Sequence, residues 1–247
     1  MRLVVLEDYE ELSKEAARAV ARRLLERPDL VLALPTGDTP IGMYRELVHL
    51  HREGLLDFSR TITFNLDEYL GLPPDHPQGF ASYMRIHLWE QVNLRPGACH
   101  IPKSLPEDPE AECLRYEGLI EKAGGIDLAV LGLGANGHIA FNEPGTPFES
   151  TTHVAELSLE TREAEAAAFG GTEKVPEKAI TMGIRTIMNA RELLLLVSGE
   201  EKREVLTRAL TGPVTPRVPA SVLQLHPRLT ALADAAAAGA LRTSHLD

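Results

Sequence analysis

Between Leu131 and Pro144 the chain reads Leu-Gly-Leu-Gly-Ala-Asn-Gly-His-Ile-Ala-Phe-Asn-Glu-Pro, and it carries three groups that move or steer protons: Asn136, His138 and Glu143. An imidazole titrates near neutrality, which suits it to general acid–base work. Gly132, Gly134 and Gly137 let the backbone turn and approach a ligand closely where a side chain would collide. The apolar run before them reads as a buried parallel strand, and ligands of open α/β sheets bind beyond the carboxyl ends of such strands. A lone histidine on a glycine turn is more often structural, by roughly three to one. The density of polar groups past this one strand reverses those odds.

Three other segments follow apolar runs and can share the same sheet edge. Pro35-Thr-Gly-Asp-Thr-Pro40 lies between a strand-like run and a helical pattern, the arrangement that turns backbone N–H groups towards an anion. Thr36, Gly37 and Thr39 are the phosphate candidates there, and Asp38 opposes them unless its carboxylate points away. A plain turn in which Thr39 caps the helix explains the hexapeptide equally well. Asp67-Glu68-Tyr69 ends another run. Side chains alternate on an extended segment, so one of its two carboxylates enters the crevice; the alternative is a solvated acidic loop. Ser198–Lys202 completes the set. Arg162 and Lys202 are candidate phosphate ligands through charge-assisted hydrogen bonds, although singly each reads as a solvated or ion-paired side chain, by roughly two to one.

Other chemistries lack their residues. There is no Ser or Cys in an elbow context and no His/Cys/Asp set at metal-ligand spacing. Gly132-Leu-Gly-Ala-Asn-Gly137 has no acidic residue ending a following strand, so it supports a dinucleotide only weakly. General acids and bases without metal or cofactor suit proton transfer on a sugar phosphate.

The elements that must position these groups alternate. Arg2–Leu6, Asp29–Leu34, Thr61–Leu66, Ile126–Leu131, Glu192–Val197 and Leu229–Leu232 read as strands. Helical patterns cover residues up to Glu26, Ile41–Arg52, Phe80–Val92, Asp108–Ala123 and Glu160–Phe169, and an Ala-rich helix closes the chain. Thr151–Leu157 reads as a possible strand, Gly170-Gly171 as a break, and Ala179–Ala190 has no clear type. The alternation gives an α/β fold, one domain over residues 1–247 with a single doubly wound, mainly parallel sheet. A length of 247 residues allows a sizeable core. A net charge of −11 with no basic cluster argues against nucleic acid and anionic membrane as partners. With two unpaired-looking cysteines, no signal peptide and no long apolar span, a cytoplasmic location is expected.

Leu34-Pro-Thr-Gly-Asp-Thr-Pro40, Phe64-Asn-Leu-Asp-Glu-Tyr69, Gly137-His-Ile-Ala-Phe-Asn-Glu-Pro144, Thr161-Arg162 and Leu223-Gln-Leu-His-Pro227 together resemble the glucosamine-6-phosphate deaminase family. The resemblance implies a modified Rossmann-like, three-layer α/β/α sandwich and conversion of glucosamine 6-phosphate and water into fructose 6-phosphate and ammonia. It implies that His138 assists ring opening, with Asn136 and Glu143 orienting its imidazole, and that Asp67 moves the proton between C2 and C1. It assigns the phosphate to Thr36, Gly37, Thr39, Arg162 and Lys202.

Departures from the family pattern carry expectations of their own. Asp38 stands where many relatives have Gly or Ser. Asn136 stands where some have Asp. Ser150–Ala155 lacks the basic residues through which allosteric members bind an effector, so no allosteric activation is expected, and the chain should be a monomer or small homo-oligomer. The rival readings are a 6-phosphogluconolactonase, a related sugar-phosphate isomerase or deglycase, and a non-catalytic sugar-phosphate sensor. The lactonase family typically continues from its histidine towards Phe-Pro-Gly, whereas this chain has Phe141-Asn-Glu-Pro144.

Overall fold

Short apolar runs with buried residues on both faces build the centre of the computed structural model, which describes residues 1–242 and 244–245. Eight strands form one sheet: β1 (Arg2–Leu6), β2 (Val31–Leu34), β3 (Ile62–Asn65), β5 (Cys99–His100), β6 (Leu128–Leu131), β9 (Glu192–Val197), β10 (Leu229–Asp234) and β11 (Ser244–His245). Their order is β11-β1-β10-β9-β6-β2-β3-β5, with every pairing parallel except that of β11 with β1.

Alternation along each strand divides the core in two. Val31 and Ala33 face one cluster while Leu32 and Leu34 face the other. The first cluster packs under α4 (Pro109–Lys122), α6 (Ile184–Met188), α7 (Arg203–Thr211) and α8 (Ala235–Ala238). The second is covered by α1 (Tyr9–Glu26), α2 (Ile41–Arg52) and the α3 segment (Phe80–Met84), which runs on as a π turn over Arg85–Trp89. α1 illustrates the logic: Asp8 accepts from Glu11 N at its start, and Leu12, Ala16, Val20 and Leu24 form its buried stripe. The result is the expected three-layer α/β/α sandwich.

From β2 the chain winds outward through β3 to β5, then returns to β6 on the other side of β2 and winds away through β9 and β10. The crevice between β2 and β6 is therefore the point where strand order reverses, the place where such sheets bind ligands.

The expectation of a single sheet is corrected by a second one. β4 (Asp67–Tyr69), β8 (Lys178–Thr181) and β7 (His153–Glu156) form a three-stranded antiparallel sheet in the order β4-β8-β7. Its core is aromatic, with Tyr69 against Phe80, Phe141 and Phe169. The untyped stretch Ala179–Ala190 resolves into most of β8 plus α6. Two helix expectations are too long. The one over Phe80–Val92 ends at Trp89, and the C-terminal one contracts to the four residues of α8, because Gly239 (φ +56°) closes it. No helix among the described residues is long and apolar enough to cross a membrane.

Candidate active site

The carboxyl ends of β2, β3, β6 and β9 converge on a cavity of about 660 Å³. Thr36, Gly37, Asp38, Thr39, Asp67, Gly134, His138, Ser198 and Lys202 line it, so all three of the other anticipated segments are joined to the glycine–histidine loop. Tyr9, Glu165 and Glu201 line it as well, and sequence reasoning did not single them out.

Asp67 sits where the chain steps from one sheet to the other. Leu66 N still donates to Leu34 O in the main sheet, while Asp67 pairs with Thr181 in the small one. That junction buries the residue to 5% exposure, and no protein group hydrogen-bonds its carboxylate among the described residues. Burial first, then the nearby Glu68 and Glu165 carboxylates, raise its pKa well above the usual carboxylate range. Glu68 takes the structural task. Its carboxylate accepts from Tyr69 N, Phe80 N and Ala81 N, and so caps α3, whose own N-cap Gly79 has no side chain to offer. The alternation argument holds: one carboxylate enters the crevice, the other turns away.

His138 reaches the cavity because Gly134 makes room. A Cβ at Gly134 would lie 2.2 Å from His138 Nε2, and Gly137 turns the loop with φ +92°. Ala140, two residues on, is the only non-glycine described at positive φ (50°) and also lines the cavity. Asn136 Nδ2 donates to Glu143 Oε2 at 2.7 Å, and Asn136 Oδ1 accepts from His138 N at 3.1 Å. The imidazole Nδ1 stands 3.8 Å from Glu143 Oε2. Glu143 Oε1 accepts from Ser158 and Thr161 at the start of α5 (Leu159–Phe169). Burial alone would raise Glu143, but the imidazole, Thr161 and Asn136 outweigh it and bring its pKa down to about 2. Glu143 is therefore a fixed anion beside the imidazole.

The threonine turn is open to a ligand. The N-cap of α2 is Pro40 and makes no side-chain bond, so the alternative of a turn capped by Thr39 does not hold. Instead the turn is braced from behind: Tyr9 Oη donates to Asp38 O and accepts from Gly42 N, and Tyr83 Oη donates to Gly37 O. Across the cavity, Lys202 precedes α7 with no ion-pair partner among the described residues, and burial lowers its pKa. Asp234 positions that side by accepting from Ser198 Oγ and Gly199 N. Arg162 does not line the cavity; its guanidinium faces Glu177 at 3.8 Å from α5. Two other motif residues are structural. Asn142 Nδ2 donates to Ile139 O and Met182 O, and Gln224 Nε2 donates to Ala209 O and Gly212 O.

Comparison with known proteins gives the family. Residues 7–231 match the family described as glucosamine-6-phosphate isomerases/6-phosphogluconolactonase. A glucosamine-6-phosphate deaminase of Thermoanaerobacter pseudethanolicus is 48% identical over 238 residues, which cover 96% of this chain and 94% of the relative. A solved structure of a monomeric glucosamine-6-phosphate deaminase superposes with a TM-score of 0.95 at 45% identity, covering 98% of this chain and 100% of that one. A 6-phosphogluconolactonase from Thermotoga maritima is more distant, with a TM-score of 0.72 at 25% identity over 94% of this chain and 98% of the other.

Proposed function

The chain belongs to the glucosamine-6-phosphate isomerase/6-phosphogluconolactonase family, and we propose that it is one of the deaminases, turning glucosamine 6-phosphate and water into fructose 6-phosphate and ammonia. The observation that carries this reading is Asp67, a buried carboxylate with no hydrogen-bond donor among the described residues, on the same cavity as an imidazole. A base whose proton affinity is raised by burial is suited to taking a proton from carbon.

The phosphate rests in the Thr36–Thr39 turn, where Thr36, Gly37 and Thr39 donate and Lys202 supplies charge. Arg162 joins by exchanging Glu177, an exposed and loosely held partner, for the phosphate. His138 carries a proton from the anomeric hydroxyl to the ring oxygen and so opens the pyranose. Glu143 and Asn136 hold the imidazole and its loop in place for this transfer. Asp67 then takes the C2 proton, leaving an enolamine whose double bond joins C1 and C2. Return of the proton to C1 places the double bond between C2 and nitrogen, and water adds to C2 to expel ammonia. The reaction needs no metal or cofactor. Lactone hydrolysis gives Asp67 no carbon proton to move, which favours the deaminase over the lactonase reading.

The partner is thus a small sugar phosphate, not nucleic acid or membrane, and the chain works as a cytoplasmic monomer or small oligomer. The deciding experiment offers the purified protein glucosamine 6-phosphate and, separately, 6-phosphogluconolactone. Equal amounts of ammonia and fructose 6-phosphate from the first support the proposal. Hydrolysis of the second alone would replace it with the lactonase, and binding without turnover would make the chain a sensor.

A further inference from the structure

Glu165 is an acidic side chain on the cavity for which the reaction as written has no task. It lies on α5 beside Ala164, half-buried, and both residues line the cavity wall. Among the described residues its carboxylate has no hydrogen bond and no ion pair. Its field reaches Asp67, Tyr69, Asp38 and His138. Glu165 therefore stands near the reacting groups, among other carboxylates, where burial and Asp38 raise its own pKa. An unpaired carboxylate in such surroundings is unfavourable without a cation, and the cavity's own cation, Lys202, sits on the β9 side beside Glu201.

The substrate of the proposed reaction brings a cation of its own. Glucosamine 6-phosphate is anionic at C6 and carries an ammonium at C2, the carbon from which Asp67 takes a proton. Asp67 has to be free to accept that proton, so it cannot also serve as the lasting counter-ion of the ammonium. We propose that Glu165 is the specificity-determining residue for the 2-ammonium group, pairing with it across the cavity while the threonine turn and Lys202 hold the phosphate. This inference rests on the deaminase reading. It explains why a site for a phosphate keeps Asp38, Glu165 and Glu201 on its wall: the ligand is a zwitterion, and the acidic side of the wall rejects phosphorylated sugars without the amine.

The test compares two non-reacting ligands, 2-amino-2-deoxyglucitol 6-phosphate and glucitol 6-phosphate, which differ only in ammonium against hydroxyl. Their dissociation constants are measured on wild type and Glu165→Gln. Wild type should prefer the amine by about 10–100-fold, the usual worth of a charge-assisted hydrogen bond. Glu165→Gln should lose most of that preference while binding glucitol 6-phosphate as before, which also shows that the variant is folded. An unchanged preference, or an equal loss for both ligands, overturns the inference. Ammonia release by wild type is followed in parallel. Its absence defeats the deaminase reading, whereas its presence with an unchanged preference in the variant defeats the role of Glu165 alone.

Discussion

Two buried aspartates occupy opposite ends of the parallel strands, and their hydrogen bonding differs completely. Asp127, at the amino end of β6, is saturated: Arg27 and Arg191 both donate to one oxygen and Val31 N donates to the other. Asp67, beyond the carboxyl end of β3, is buried almost as deeply and has no donor among the described residues. Nearby at the amino end, a cavity of about 410 Å³ is lined by Glu192, whose carboxylate ion-pairs with Arg23 and with Arg228. Residue type and burial do not distinguish the two aspartates; completion of the hydrogen bonding does. Asp127 is closed to a ligand by its own pairings, and Asp67 keeps its carboxylate unpaired for one.

The sharpest way to break this contrast is Asp67→Asn. It should lower kcat by about 10²–10⁴-fold, the usual contribution of a general base. The same change should leave the thermal midpoint equal or higher at neutral pH. The sign follows from the raised pKa. As pH rises through the ordinary carboxylate range the unfolded chain ionises first, so stability falls until the folded value is passed, and the penalty persists above it. A lowered midpoint would show that Asp67 has partners after all.

Gly134→Ala comes next. The added methyl would meet the imidazole, and displacing that ring should cost about 10²-fold in kcat with little effect on substrate affinity. An unchanged kcat would mean that the ring's position is not critical.

Asp127→Asn reverses the pattern of Asp67→Asn. Loss of its charge-assisted bonds should destabilise the fold by about 1–3 kcal/mol in denaturant titration while kcat/KM stays within twofold. The smallest effect concerns pH. Glu143, held at about 2 against an ordinary 4.5, contributes stability above 4.5 and loses it as pH falls from there towards about 2. Glu143→Gln should flatten that part of the stability profile, and an unaltered profile would remove Glu143 from the account.

The sequence shows the carboxyl-end site clearly because its parts are local. The threonine turn, Asp67, the glycine–histidine loop and Lys202 each follow a run that reads as a strand, and strand order brings them together. The small sheet stays hidden because Asp67–Tyr69 is short and Lys178–Thr181 falls at a stretch without clear type; Thr151–Leu157 reads as a possible strand, but its partner does not. Glu165 and Tyr9 are equally hidden. Each lies on a helix of ordinary composition, and only the packing of α5 and α1 around the switch point turns them inward. Arg162 shows the reverse: its place in the chain is legible, but the sequence does not show that its guanidinium faces Glu177.

Glu143 divides its two oxygens between the imidazole loop and the first turn of α5. That helix buries little else of its own, Thr161 being its one fully buried residue, so the carboxylate is its main tether at that end. Proton and helix thus compete and cooperate as two ligands of a single group. By linkage, any displacement of α5 that loosens Ser158 and Thr161 must raise the proton affinity of Glu143, and protonating Glu143 must weaken the grip on α5 by the same free energy. A mechanical event at the wall of the cavity and a chemical one at its centre are reciprocal through one side chain.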